Sequence, residues 1–101
     1  MAFDLLVRPE AEQDLTEAFE WYEKQRGGLG HDFLLHVQAG LRFLEGTPLV
    51  FPERYHGVRQ HLIKRFPYKI FYKVQGQTVV VLAVVYGGRD PDGVKKRMQG
   101  N

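Results

Sequence analysis

Two runs in the C-terminal half of the chain carry the signature of strands, and the remaining pattern is arranged around them. Tyr68, Ile70, Tyr72 and Val74 alternate with Lys69, Phe71 and Lys73, which predicts one buried and one half-polar face. From Val79 to Tyr86 nearly every position is apolar. Such a strand is central in a sheet or covered on both sides. Gln75-Gly76-Gln77 joins the two runs, with a glycine free to take a turn conformation that other residues resist. Residues 65–89 therefore read as a β-hairpin at the heart of the core.

The N-terminal half reads as one strand and two helices. Phe3 to Val7 is a short apolar run, taken as the first strand. Pro9 suits the first position of a helix, and Glu10 and Glu12 complement the helix dipole there. Ala11, Leu15, Ala18, Phe19 and Tyr22 recur at helical spacing, so a helix is expected from Pro9 to Gln25, with Trp21 at the core margin and most carboxylates on a solvated face. The cluster Gly27-Gly28-Leu29-Gly30 is read as a break. A second helix is expected from His31 to Glu45, with Phe33, Val37, Leu41 and Leu44 as its buried stripe, Gly46 as a cap and Thr47-Pro48 as the stop. His31 and His36 are read as surface or loop residues. Residues 47–57 form a linker, and Val58 to Lys64 alternates weakly as a further strand.

The predicted fold is a single α+β domain over residues 1–101. A small antiparallel sheet packs against an N-terminal helical hairpin in the order β-α-α-β-β-β. No apolar run reaches the roughly 18 residues of a membrane span, and no membrane partner is expected. The absence of cysteine removes disulfides and thiolate metal sites and fits a cytoplasmic protein.

Charge sharpens the functional reading. The net charge is only +2, but residues 1–50 hold four Lys/Arg and nine Asp/Glu, a net of −5. Residues 51–101 hold ten Lys/Arg and three Asp/Glu, a net of +7. A basic half with interleaved aromatic residues favours an anionic partner. Its members are Arg59, His61, Lys64, Arg65, Lys69, Tyr72, Lys73 and Arg89, followed by the basic tail Lys95, Lys96 and Arg97. Cations on one strand face can clamp phosphates and stabilise charge that develops in phosphoryl transfer. His61 suits a general acid or base because its pKa lies near neutrality. Whether Lys69 and Lys73 share a face with Arg59 or His61 depends on strand register. His56 and His61 have no obvious carboxylate companions, so no metal is expected, and no small-molecule cofactor.

The ordered set of pieces resembles the RelE/ParE superfamily of toxins from bacterial type II toxin–antitoxin modules. The pieces are LLVRPEAEQDL at 5–15, Trp21-Tyr22, LEGTP at 44–48, RFPYKIFYKV at 65–74, the valine-rich strand at 79–85 and GGRDP at 87–91. The resemblance implies an antitoxin partner that covers apolar surface and neutralises basic surface. It implies one of two targets. RelE-like members cut mRNA on the ribosome, and there Lys69 and Arg89 look like the basic residues of the site, with Arg65 and His61 as further candidates. The tyrosine that several of them carry near the C-terminus has Lys95 in its place here. ParE-like members poison DNA gyrase without nuclease chemistry, and the anionic-partner residues would then be Arg59, Lys64, Lys73, Lys95, Lys96 and Arg97. The PEAEQDL helix and the RFPYKIFY to RDP spacing look more like the ParE-like branch, the plasmid stabilisation proteins. Many of those carry His-x-x-Arg-Asp-Pro, where Tyr86 replaces the histidine. A module that binds only its antitoxin is the third alternative.

Overall fold

In the computed structural model, residues 2–88 together with 95 and 96 are described. The order is β1 (Asp4–Val7), α1 (Pro9–Gln25), α2 (Leu29–Gly46), β2 (Arg59–Leu62), β3 (Tyr68–Gln75) and β4 (Thr78–Tyr86). The four strands form one sheet in the order β1-β4-β3-β2. β2, β3 and β4 are antiparallel, as expected. β1, whose neighbour the sequence pattern leaves open, pairs in parallel with β4, so the sheet is mixed. The hairpin turns at Gly76-Gln77, with Gly76 at φ 61°. Both helices lie on one face.

β4 explains why the sheet is built this way. Val79 to Val85 are all buried. Val79, Val81 and Val84 join the main core under the helices, whereas Val80, Leu82, Ala83 and Val85 cluster on the second face with Val58 and Phe71. Strict alternation would not put both Leu82 and Ala83 on the same face. The register supplies the reason: Phe71 pairs with Ala83 and Tyr72 with Val81, so Leu82 is the extra residue of a β-bulge. The main core adds an aromatic group in which the rings of Tyr22, Phe33, Phe66 and Tyr68 lie 4.9–6.0 Å apart. Tyr72 is fully buried, and its hydroxyl donates to the Pro48 carbonyl at 2.7 Å. Burial holds its pKa above the ordinary phenol value, with nearby Arg59 opposing.

α1 has the expected bounds. α2 begins two residues earlier than the glycine cluster suggests. Glu23, counted among the solvated carboxylates, instead accepts the backbone N–H groups of Gly28 at 3.2 Å and Gly30 at 2.8 Å. These are donors that a helix start leaves unsatisfied. They hold the Glu23 carboxyl below its ordinary range, the Gly28 bond first, with Gly30 and His31 adding to it against a desolvation effect. Gly30 is then required by packing and not by a break. A Cβ there would lie 2.6 Å from the Phe19 carbonyl oxygen and 2.7 Å from Glu23 Cγ.

Gly30→Ala should therefore destabilise the fold by about 1–3 kcal/mol, through overpacking against a backbone atom that cannot move alone. At Gly40 the nearest atoms a Cβ would meet are side-chain atoms, of Ile63 and Ile70 at 3.2 Å and of His61 at 3.4 Å. For Gly40→Ala the gain in helix propensity, about 1 kcal/mol, should nearly offset that crowding. Urea midpoints of the two variants should separate accordingly.

Candidate functional site

Register decides which of the basic side chains can act together. Arg59 pairs with Tyr72 and His61 with Ile70, and Tyr72 and Ile70 belong to the core under the helices. Arg59 and His61 are thus on the helix side of the sheet. Lys69 and Lys73 alternate with Ile70 and Tyr72 and face the second side, so the two pairs do not share a face. Arg65 lies in the β2–β3 connection at φ 72° and reaches back to α2, with a guanidinium nitrogen 3.7 Å from Asp32 and its carbon 5.6 Å from the Phe66 ring centroid. Lys64 and Lys96 are exposed. The Lys95 ammonium sits 5.0 Å from the Tyr55 ring centroid, beside the bridge to Val58. Arg89 and Arg97 lie outside the described residues.

His61 and Arg59 are occupied in holding the 47–53 segment. The His61 ring stacks against Phe51 and Phe43, with centroids 5.0 and 5.4 Å away, and those two rings also touch each other at 6.0 Å. Desolvation pushes its pKa below the ordinary imidazole value. The Arg59 guanidinium donates to the Phe51 carbonyl, reaches the Leu49 carbonyl at 3.5 Å and pairs with Glu53 at 3.4 Å. The Arg59 guanidinium is thus engaged by acceptors of the protein itself, whereas the His61 ring is half-buried. His31 is exposed, edge-on to Phe19 and 3.4 Å from Glu23, whereas His36 is half-buried and edge-on to Phe66.

A second feature lay outside the sequence reading. β1 covers β4 only from Thr78 to Val81. Beyond that point α1 leans over the open edge, and Asp14 Oδ2 accepts the Val84 N–H at 3.0 Å. Asp14 is only 8% exposed, so the expectation of solvated carboxylates on α1 fails here as it does at Glu23. The signal was present in the spacing: Asp14 stands three after Ala11 and four before Ala18, on the buried stripe itself. Next to this bond a recess of about 500 Å³ opens between α1 and β4. Trp21, Tyr22, Tyr68 and Tyr86 line it together with Asp14 and Glu17. Burial raises the Tyr22 pKa, and the neighbouring Tyr68 and Tyr86 raise it further.

Among the described residues no helix is long and apolar enough to cross a membrane, and no three metal-capable side chains converge.

Comparison with known proteins gives the sequence a family. Residues 5–91 match the model described as ParE toxin of type II toxin-antitoxin system, parDE. Among solved structures, a chain of the chromosomal ParDE toxin–antitoxin system from P. aeruginosa superposes with a TM-score of 0.76 at 18% identity, covering 84% of this chain and 96% of that one. A chain of the toxin–antitoxin complex RelBE2 from Mycobacterium tuberculosis gives 0.59 at 20% identity, covering 85% and 92%. A sequence search of curated proteins finds no match.

Two outcomes follow from the geometry. Asp14→Ala should cost about 1–3 kcal/mol by leaving the Val84 N–H without its acceptor, and Asp14→Asn, which keeps an acceptor oxygen, should cost less in urea unfolding. His61 is harder to protonate folded than unfolded, so the unfolded state binds more protons on the acid side of the ordinary imidazole pKa. Stability should fall as pH drops from that value towards the depressed folded one, then stop responding to this group. His61→Phe should flatten that part of the pH–stability curve.

Proposed function

The chain belongs to the ParE toxin family of type II toxin–antitoxin systems, and from that premise we propose that it inhibits DNA gyrase by binding, without chemistry of its own. In this reading it acts in the cytoplasm, and a cognate antitoxin neutralises it. Loss of that antitoxin exposes the target, which is how such a module stabilises a plasmid.

The observation that carries the reading is the division of the basic cluster by the sheet. An RNA-cleaving site needs a proton-transfer group and charge-stabilising cations around one phosphate. Here His61 packs against a pair of phenyl rings on the helix side, while Lys69 and Lys73 project from the other side. Binding makes no such demand. Lys69, Lys73 and the tail residues Lys95, Lys96 and Arg97, with Lys64 and Arg89, then serve as cationic contacts to the target, each adding attraction without a fixed relation to a reacting atom. Arg59, which belonged to the same cluster in the sequence, has structural partners instead, and Arg65 is exposed beside Asp32.

The alternative in the same superfamily is ribosome-dependent mRNA cleavage with Lys69 and Arg89 stabilising the cleaved phosphate. Two assays separate them. In a supercoiling reaction, purified protein should leave relaxed plasmid incompletely supercoiled in the presence of gyrase. Amino-acid incorporation should stay unchanged in the first minutes after induction in cells. Paired substitution of Lys69 and Lys73 by Ala should weaken gyrase inhibition about 10-fold, whereas His61→Gln should leave it intact. Undisturbed gyrase together with a collapse of incorporation within minutes would assign the ribosome as target and retire the binding-only reading.

A further inference from the structure

The recess between α1 and the uncovered end of β4 has a chemistry opposite to the rest of the basic half. Its floor is apolar, with Ala18 and Val84, and its walls are rings. Trp21 is 56% exposed and Tyr86 53% exposed, unusual for side chains of this size. Glu17 stands exposed at the rim. α1 as a whole carries six carboxylates against one lysine. Among the described residues, no Lys or Arg lines the recess.

Resting on the reading of this chain as an antitoxin-neutralised toxin, we infer that the recess receives a basic side chain, an arginine or a lysine, from the antitoxin. Three properties select that occupant. An acidic segment would bring like charge against Glu17 and the α1 carboxylates. A purely apolar side chain would fill the floor but strip water from the rim carboxylate without replacing its hydrogen bonds. A cation satisfies both surfaces. Its charge meets the ring faces, of which tryptophan's is the most attractive, and its N–H groups meet the carboxylate. Arginine fits best, because a planar guanidinium stacks on a ring and presents a fork of donors in the same plane. Its methylene stem would lie over Ala18 and Val84. The antitoxin would thus hold the toxin by two opposite polarities, acidic residues against the lysines and one basic residue in this recess.

The chain contains a single tryptophan, Trp21, so occupancy has a built-in reporter. The experiment is a fluorescence titration of the full-length toxin with its cognate antitoxin, whose own tryptophans are replaced by phenylalanine. The expected result is a shifted or quenched Trp21 emission on complex formation. Glu17→Gln, a change on an exposed side chain, should weaken the complex about 5- to 10-fold at low salt. Alanine substitution of each Arg and Lys of the antitoxin should reveal one position whose loss is non-additive with Glu17→Gln. A tight complex with unchanged Trp21 emission, or with additive effects at every basic position, would overturn the inference and leave the antitoxin reading standing. Failure of the two proteins to associate at all would overturn both.

Discussion

The structure depends on the need to bury β4 on two faces and two edges at once. Seven consecutive apolar residues leave no face of this strand that water can accept. β3 covers one edge by hairpin contact, the cheapest long-range pairing available to the chain. The other edge requires a strand from elsewhere, and β1 provides it from the far end of the sequence. The helices between β1 and β2 then have one place to bury their apolar stripes, across the face that Val79, Val81 and Val84 share. β1 is only four residues long and runs out at Val81. A backbone N–H at Val84 would otherwise face an apolar layer unpaired, at a cost of about 1–3 kcal/mol. Asp14 answers that need, and in doing so fixes how α1 lies over the sheet edge.

The architecture was legible because its signals are local and redundant. Proline at the start of α1, the Thr47-Pro48 stop after α2 and the glycine between two β-rich runs each name a boundary by steric chemistry alone. The one element start that misled was the glycine cluster. Gly27, Gly28 and Gly30 look alike in sequence but do different work: Gly28 sits at φ 90° in the connection, and Gly30 lies inside α2 against the Phe19 carbonyl. Only the second helix, once placed, distinguishes a residue that breaks a helix from one that lets two helices touch.

The candidate site was legible in composition and not in arrangement. A strand's two faces exchange under a shift of one residue, and no feature of Val58 to Lys64 fixed which register β2 takes against β3. Whether Arg59 and His61 share a face with Lys69 and Lys73 thus stayed open until pairing assigned two to each side. Charge type gave a second ambiguity. Asp14 and Glu23 carry the same carboxylate as their exposed neighbours, and what sets them apart is a backbone donor 70 residues away in one case and a helix start in the other. Long-range hydrogen bonds of that kind leave no periodic trace. Asp14 had a weak one, its position between Ala11 and Ala18, which the acidic surroundings obscured.

This division between committed and uncommitted charge bears on what the fold is suited to do. Arg59, Asp14 and Glu23 have protein partners within the domain, and removing any of them would act first on the fold, whereas Arg65 makes only an exposed ion pair with Asp32. Lys69 and Lys73, by contrast, stand on the sheet face away from the helices, and the Lys95 ammonium rests over a ring. Glu17 and Trp21 stand at an aromatic recess that flanks the buried stripe of α1. A catalytic centre concentrates its charged groups around a few reacting atoms, within about 3 Å of them. A partner-binding protein distributes them over a surface, with a few aromatic anchors and a rim of charge. The described residues place cations on one face, carboxylates and exposed rings on another, and His61 against a pair of phenyl rings. In the reading proposed above, a surface of that kind serves antitoxin and target in turn, since neither needs a single constellation, and competition between them needs only that their footprints overlap.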